Sequence, residues 1–278
     1  MFTLNCRGKI ISINKPLVMG IINATPDSFY EGHLPGGPEK MVEIAGSMLA
    51  AGADILDIGG QSSRPGSTRI VAGEEISRVV PVIASIHKRF PEALISVDTY
   101  YSEVAAACLN AGACIINDIS AGNMDDRMIP MVAHLRAPYI CMHMQGNPTT
   151  MQLEPKYENV VREVLDFFIY KIAECREAGI KDIIIDPGFG FGKNATHNFE
   201  LLKNLSVFKM LEKPILAGLS RKATIYRTLN VEASEALNGT TVLNTLALQN
   251  GADILRVHDV KEAKEVVLLM EEYKKTAP

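Results

Sequence analysis

Two carboxylates and one amide lie at the ends of short apolar runs in this sequence of 278 residues. Asp98 ends the run ALISVD, Asn117 lies in CIIND, and Asp186 follows three isoleucines in IIIDPGFGFGK. Carboxylates accept paired hydrogen bonds from a planar N–H edge, such as that of an aminopyrimidine or a guanidine, and an amide both donates and accepts. Together the three residues favour a polar heterocycle as ligand. A metal ion or general acid–base chemistry would also suit them, and Asp98 or Asn117 alone is more typical of a strand-terminal cap.

A second set of residues is cationic. Arg64 lies in SSRPGS, Lys222 in LSRK, and Arg256 and His258 in RVH. Arg256 and His258 are two positions apart on a predicted strand, so they share a face and could bind the same anion. Composition alone leaves Arg64 equally compatible with a solvated surface arginine, and one of the adjacent pair Arg221 and Lys222 could simply be solvated.

The remaining candidates are weaker. His143 in CMHM could bind a soft metal, but no second His or Cys cluster stands at ligand spacing, so packing is the preferred interpretation. In GFGFG, glycines alternate with Phe189 and Phe191, which lets the backbone approach a flat ligand closely. GFGFG does not match the dinucleotide fingerprint, and the sequence has no nucleophile elbow, zincin or P-loop motif.

The elements that must position these residues are repeated βα units. Eight short apolar runs occupy 17–23, 53–60, 93–98, 114–118, 138–143, 183–188, 214–222 and 252–259. Helix-like stretches precede them, for example 160–178 with its three-to-four apolar spacing, and glycine often separates helix from strand as a C-terminal cap. The pattern predicts an α/β fold, a (β/α)₈ TIM barrel in a single domain over 1–278, with a doubly wound open sheet as the alternative. In a barrel the polar strand ends would form one ring.

Composition narrows the function classes. The hydrophobic fraction is 47% and the net charge is -4, which gives no broad attraction to nucleic acid or to an anionic membrane. The five cysteines are scattered and form no CxxC pair, so neither a disulfide framework nor a zinc ribbon is indicated. With no export signal and no apolar run long enough to span a membrane, we expect a cytoplasmic protein without nucleic-acid or membrane partners.

Eight motifs along nearly the whole chain resemble, in order, those of the dihydropteroate synthase family. They read MGIINATPDSF, DIGGQSSRPGS, SVDTY, INDISAG, MHMQGNP, DPGFGFGK, GLSRK and LRVHDV. The resemblance implies a (β/α)₈ barrel, usually a homodimer. It also implies a transferase of folate biosynthesis, the target of sulfonamides, which joins hydroxymethyl-dihydropterin diphosphate to para-aminobenzoate and releases dihydropteroate and diphosphate.

The resemblance assigns roles residue by residue. The pterin would be bound by Asp98, Asn117, Met142, Asp186 and Lys222. The diphosphate would be bound by Asn23, Arg64, Arg256 and His258. The aminobenzoate would be framed by Ser63, Pro65, Phe191 and Ser220. Asn23 would also contact a magnesium ion, Mg²⁺, that bridges the diphosphate. The catalytic set would be Asp98, Asp186, Lys222, Arg256 and His258.

These roles predict a dissociative substitution. Diphosphate leaves the pterin methylene, the electron-rich ring delocalises the cation, and the neutral amine adds to it. Cationic side chains and magnesium would stabilise the charge that grows on the leaving oxygens. The loops 24–38 and 60–73 are long enough to close over the site and exclude water.

Two departures from the family pattern bear on the substrates. Gln61 and Ser63 in GGQSSRPG replace the commoner GGESTRPG, and the first loop reads SFYEGHLPGG where SFSDGG is more frequent. They concern affinity for aminobenzoate and its sulfonamide mimics, and closure of the first loop.

Three rival functions share features with this sequence. A pterin-dependent methyltransferase of the same fold has no diphosphate to bind, so the cations argue against it. A Schiff-base aldolase would use Lys222 as nucleophile. A non-catalytic pterin-binding barrel would bind the pterin without releasing diphosphate.

Overall fold

The protein folds into a barrel of eight parallel strands with helices outside it, which confirms the predicted fold class. The computed structural model describes residues 1–25, 37–61, 69–146, 151 and 155–275. The barrel strands are β3 Leu17–Asn23, β4 Ile55–Gly59, β5 Leu94–Asp98, β6 Ile115–Asp118, β7 Tyr139–Met142, β8 Ile183–Asp186, β9 Leu216–Ala217 and β10 Ile254–Val257. Their order is β8-β7-β6-β5-β4-β3-β10-β9, and a parallel bridge from Ile185 to Ile215 joins the two outermost strands. Each of the eight apolar runs contains one of these strands.

Helices connect the strands in the alternation that the sequence predicts. They are α1 Gly37–Ala50, α2 Ala72–Arg89, α3 Ser102–Ala111, α4 Met128–Leu135, α5 Val160–Ala178, α6 Ala195–Lys203, α7 Ala223–Leu229, α8 Leu237–Gln249 and α9 Val260–Lys275, with 3₁₀ helices at Leu205–Leu211 and Ala233–Glu235. Helix α5 has the bounds predicted from its spacing, because Asn159 caps its start by accepting from the Arg162 N–H and Gly179 adopts a left-handed conformation after its end. None of the described helices is long and apolar enough to cross a membrane.

An N-terminal hairpin, β1 Phe2–Cys6 paired with β2 Lys9–Ile13, covers one end of the barrel. Leu4, Cys6 and Ile13 pack with the inward-facing residues at the amino ends of the barrel strands, such as Leu17 and Met19. This end is therefore closed by apolar contacts, and ligand chemistry is left to the opposite end, where the strands finish.

Candidate active site

The carboxyl half of the barrel brings one arginine and two aspartates into direct contact. Arg256 on β10 donates from Nε to Oδ2 of Asp57 on β4 over 2.6 Å, and from Nη2 to Oδ2 of Asp98 at the end of β5 over 2.5 Å. Asn117 on β6 donates from Nδ2 to the same oxygen of Asp57 over 3.0 Å. Arg256 of the cationic set thus joins Asp98 and Asn117 of the carboxylate–amide set in one network.

Burial and ion pairing oppose each other in this network. Burial raises the pKa of Asp98 to about 7, although Arg256 lowers it, and the charges of Asp57 and Asp118 raise it further. Burial alone would lower the pKa of Arg256, but Asp57 and Asp98 outweigh burial and raise it. The arginine therefore stays charged, while Asp98 can exchange a proton near neutral pH.

Asp57 is the member of this network to which the sequence analysis assigned no role. It lies in the middle of β4, is fully buried, and its Oδ1 has no hydrogen-bond partner among the described residues. The available signal was an acid within the apolar strand ILDIG, since a buried carboxylate needs a partner. Asp57 orients the guanidinium of Arg256 and the amide of Asn117.

Lys222, which follows β9, and Asp186, the last residue of β8, approach the same point. The Nζ of Lys222, the residue before α7, donates to the carbonyl oxygen of Phe189 and lies 4.7 Å from the centroid of the Phe191 ring. A Cβ on Gly218 would lie 3.7 Å from that Nζ and 4.0 Å from Oδ2 of Asp186. The absent side chain at Gly218 thus leaves space between the two charges.

The two charges also influence each other. Burial raises the pKa of Asp186, whereas Lys222 and the Gly188 N–H, which donates to Oδ1 over 2.8 Å, lower it. Burial lowers the pKa of Lys222 to about 8, and Asp186 raises it. Near neutral pH the lysine therefore remains mostly protonated but can lose its proton in a mildly basic solution.

An apolar wall adjoins these polar groups. Met142 at the end of β7 and Phe191 pack in one buried cluster with Tyr100, Ile119 and Met151. Phe191 lies in the segment GFGFG, residues 188–192, which we call the glycine loop. Aromatic and sulfur side chains of this kind suit the face of a flat ring.

The remaining predicted residues that the structure describes are Asn23, Ser220 and His258. Ser220 is buried, and its Oγ lies 3.0 Å from Nδ1 of His258 and accepts the His258 backbone N–H over 3.2 Å. His258 and Asn23, at the end of β3, are exposed. An imidazole and an amide oxygen are thus accessible to a ligand that enters from solvent.

Arg221 does not face the site. Its guanidinium donates to both oxygens of Asp259 over 2.8 Å and to the carbonyl oxygens of Ala233 and Ser234. The adjacent pair therefore divides: Arg221 makes a structural ion pair, and Lys222 reaches the strand ends.

Three predicted site residues lie outside the residues that the structure describes: Ser63, Arg64 and Pro65. The residues beside that segment are joined across it. Gln61 donates from Nε2 to the Tyr100 hydroxyl and accepts the Ile70 N–H at Oε1 over 3.2 Å. The glutamine that replaces the commoner glutamate thus uses both its donor and its acceptor.

Lys193, the last residue of DPGFGFGK, was also missed by sequence reasoning. It is buried, and its Nζ lies 2.8 Å from Nδ1 of His143. His143 packs edge-on against Phe167, with ring centroids 4.8 Å apart, and so occupies a packed interior position. From sequence alone, a lysine at the end of a glycine-rich loop is expected to be solvated. The residues next to it in the sequence do not reveal the backbone oxygens that surround it in the fold.

The described residues contain no group of three or more His, Cys, Asp or Glu side chains that could hold a metal ion. This does not conflict with magnesium, which commonly takes one or two protein oxygens and completes its shell with phosphate oxygens and water. The exposed amide oxygen of Asn23 fits such a site.

Comparison with known proteins gives a consistent set of relatives. The model of the family described as pterin binding enzyme matches residues 19–258. The dihydropteroate synthase of Escherichia coli strain K12 is 44% identical over 270 residues, covering 96% of this chain and 95% of that protein.

Solved structures agree over the whole fold. The Yersinia pestis dihydropteroate synthase, solved with a sulfonamide drug, superposes with a TM-score of 0.93 at 39% identity, covering 99% of this chain and 100% of that chain. The Xanthomonas albilineans dihydropteroate synthase, solved with 4-aminobenzoic acid, also gives a TM-score of 0.93 at 39% identity, with 99% of each chain covered.

Proposed function

The chain belongs to the family of pterin-binding enzymes, and we propose that within it the chain is a dihydropteroate synthase. It joins hydroxymethyl-dihydropterin diphosphate to para-aminobenzoate and yields dihydropteroate and diphosphate. The observation that carries this function is the network of Arg256 with Asp57, Asp98 and Asn117, because it places an anion-binding cation against groups that bind a heterocycle.

The pterin binds to the carboxylates and the amide at the strand ends. Asp186 and Asp98 accept hydrogen bonds from the amino-pyrimidine edge, and Asn117 both donates and accepts. Met142 packs against the ring face from the apolar wall. Lys222 adds a hydrogen-bond donor beside Asp186.

The leaving group binds on the cationic side of the same site. Nε and Nη2 of Arg256 are bound to Asp57 and Asp98, and a guanidinium carries five N–H donors, so others can be directed at a diphosphate oxygen. His258, which contacts Ser220 and is exposed, binds the diphosphate beside Arg256. Arg64 belongs to this set by the resemblance.

The chemical step is a dissociative substitution. The C–O bond to the pterin methylene breaks with both electrons going to diphosphate, and the ring nitrogen lone pairs delocalise the cation. The amine of para-aminobenzoate then adds through its lone pair and loses a proton. Preorganised donors such as Arg256 stabilise the leaving oxygens and contribute on the order of 3 to 4 kcal/mol to lowering the barrier.

Para-aminobenzoate binds beside Phe191 and Lys222. The Phe191 ring, held under the Lys222 ammonium, offers a face for the aminobenzoate ring. Ser63, Pro65 and Ser220 complete this subsite by the resemblance. The relatives solved with 4-aminobenzoic acid and with a sulfonamide drug support this subsite and inhibition by sulfonamides.

Magnesium is proposed as the cofactor, with Asn23 as its protein ligand. When bound with the diphosphate, the ion supplies Lewis-acid neutralisation of the leaving charge.

The assembly is proposed to be a homodimer of one-domain chains in the cytoplasm. Helices α8 and α9 pack together and expose large apolar side chains, namely Val242, Leu246, Leu268, Leu269 and Tyr273. A second copy of the chain would cover this apolar surface. The five cysteines are all free thiols, which fits a reducing compartment.

Genetic complementation tests the function. We expect the gene to restore growth without added thymidine and purines to a bacterium that lacks its own dihydropteroate synthase. The Asp186→Asn variant, expressed to the same level, should fail to do so. Failure of the wild-type chain, produced in soluble form, would refute the synthase.

A further inference from the structure

Lys193 is a buried lysine for which the proposed reaction has no use. It is 2% exposed, and four acceptors surround its Nζ. These are Nδ1 of His143 at 2.8 Å and the carbonyl oxygens of Phe191 at 3.0 Å, Gly188 at 3.1 Å and His143 at 3.3 Å. A buried ammonium group requires such a set of acceptors, because leaving a buried charge unpaired is costly.

The four acceptors around Nζ form a cage, and this cage joins two backbone segments that lie unusually close to each other. Gly188 has φ +70°, and a Cβ there would lie 1.9 Å from the carbonyl oxygen of His143. Gly192 has φ +62°, and a Cβ there would lie 2.5 Å from the carbonyl oxygen of Gln145. The glycine loop therefore lies directly against the residues that follow β7. Three carbonyl oxygens point inward there, and the positive charge of Lys193 offsets their mutual repulsion.

This loop carries the groups that face Lys222. The Phe189 carbonyl oxygen accepts from Lys222, and the Phe191 ring lies 4.7 Å from its Nζ. Lys193 binds the Phe191 carbonyl oxygen at 3.0 Å, so it fixes the backbone from which that ring projects. Movement of this loop would displace the ring on which the aminobenzoate is proposed to stack.

We propose that Lys193 is a positioning residue of the para-aminobenzoate subsite. It acts with a neutral His143 to hold the glycine loop and thereby Phe191. The identity of the substrate in this assignment rests on the proposed function. The contact between the lysine and the imidazole does not depend on it.

The contact fixes the proton on the imidazole. A lysine has no acceptor when protonated, so Nδ1 of His143 accepts and the ring proton lies on Nε2. Burial and the charge of Lys193 hold the pKa of His143 well below its usual range, and the rings of Tyr157 and Phe167 flank the imidazole. Burial also lowers the pKa of Lys193 well below its usual range, while Asp186 raises it and Lys222 lowers it further. The three carbonyl oxygens that accept from Nζ favour the charged ammonium form against this burial.

Steady-state kinetics of Lys193→Ala test the positioning role. We expect KM for para-aminobenzoate to rise on the order of 10- to 100-fold, as for a misplaced subsite, with pterin affinity largely kept. Propylammonium, which replaces the missing part of the side chain, should restore much of the loss. Equal loss of pterin and aminobenzoate binding, or no change in either, would overturn the proposal.

The matched control is Lys264→Ala. Lys264 is also largely buried and binds a carboxylate, with its Nζ 3.0 Å from Asp54, but Asp54 directly precedes β4, at the opposite end of the barrel. This variant should keep both substrate constants and show no response to propylammonium.

A second measurement uses the wild-type chain and stands even if Lys193→Ala does not fold. Nitrogen-15 spectra of labelled histidines should show His143, assigned by its loss in His143→Gln, as the Nε2–H tautomer that does not titrate from about pH 5.5 to about pH 8.5. Protonation of His143 in that range, or a proton on its Nδ1, would refute the contact between Lys193 and His143 and with it the proposal. If the chain makes no dihydropteroate yet His143 behaves as expected, the proposed function fails and the contact remains.

Discussion

Replacing Glu75 by glutamine should remove a pH-dependent contribution to the stability of the fold. Glu75 projects from α2 into the interior, is 1% exposed, and neither carboxylate oxygen makes a hydrogen bond of good geometry to a described residue. Burial raises the pKa of Glu75 to about 7; the Thr99 hydroxyl and Arg78 oppose this rise, and the charge of Asp98 adds to it. In the folded chain Glu75 is therefore a neutral acid over much of the acidic range.

The sign and size of the effect follow from the two states. A carboxyl whose pKa is higher in the folded state contributes stability at low pH, and that contribution is lost as the pH rises towards the folded pKa. A shift from the ordinary 4.5 to about 7 is worth about 3 kcal/mol in all. About 2.5 kcal/mol of this is lost between about pH 5 and about pH 8.

Urea unfolding of the wild type and Glu75→Gln at both pH values measures this quantity. The glutamine has a constant cost of its own, but the difference in unfolding free energy between the two proteins should change by about 2.5 kcal/mol in favour of Glu75→Gln as the pH rises. Asp98, whose pKa is also raised to about 7, is present in both proteins and largely cancels. Glu43→Gln, which removes an exposed carboxylate on α1, should show no such change. A difference that stays constant with pH would refute the buried neutral acid.

Two substitutions probe the charged network. Arg256→Ala should depress turnover severely, by on the order of 100- to 1,000-fold in kcat, with pterin affinity less affected. It should also lower the unfolding free energy by roughly 3 to 5 kcal/mol, because Asp57 and Asp98 are left without their cation; unchanged turnover would exclude its leaving-group role. For Lys222, whose pKa burial lowers to about 8, kcat/KM should fall as the pH rises through about 8, and Lys222→Arg should remove that inflection. A profile with the same inflection in both proteins would assign it to another group.

Local pattern was enough to predict most of the fold. The eight apolar runs and the spacing in α5 carry their own periodicity, and a parallel barrel needs strands that are buried on both faces. The N-terminal hairpin was not predicted. Its two strands have five residues each, and its Arg7–Gly8 turn depends on positive φ values of 56° and 86°, which an arginine seldom adopts.

Part of the candidate site could likewise be predicted from the sequence, and part of it could not. Strand-end residues such as Asp98, Asn117 and Arg256 could be predicted to converge, because barrel topology brings strand ends together. Asp57 and Lys193 could not be assigned, since their partners are distant in sequence or are backbone oxygens. The hydrogen bond from Arg256 to Asp57, for example, joins two residues that are 199 positions apart in the sequence. Long-range contacts of this kind come from the closed sheet and leave no local signature.

The most direct test of the account is diphosphate release by the purified chain with hydroxymethyl-dihydropterin diphosphate and magnesium, in the presence and absence of para-aminobenzoate. The pterin product is identified by mass in each case. We expect release that requires the amine and yields dihydropteroate in equal amount. Binding of the pterin without release, or release with only a hydrolysed pterin as product, would contradict the account.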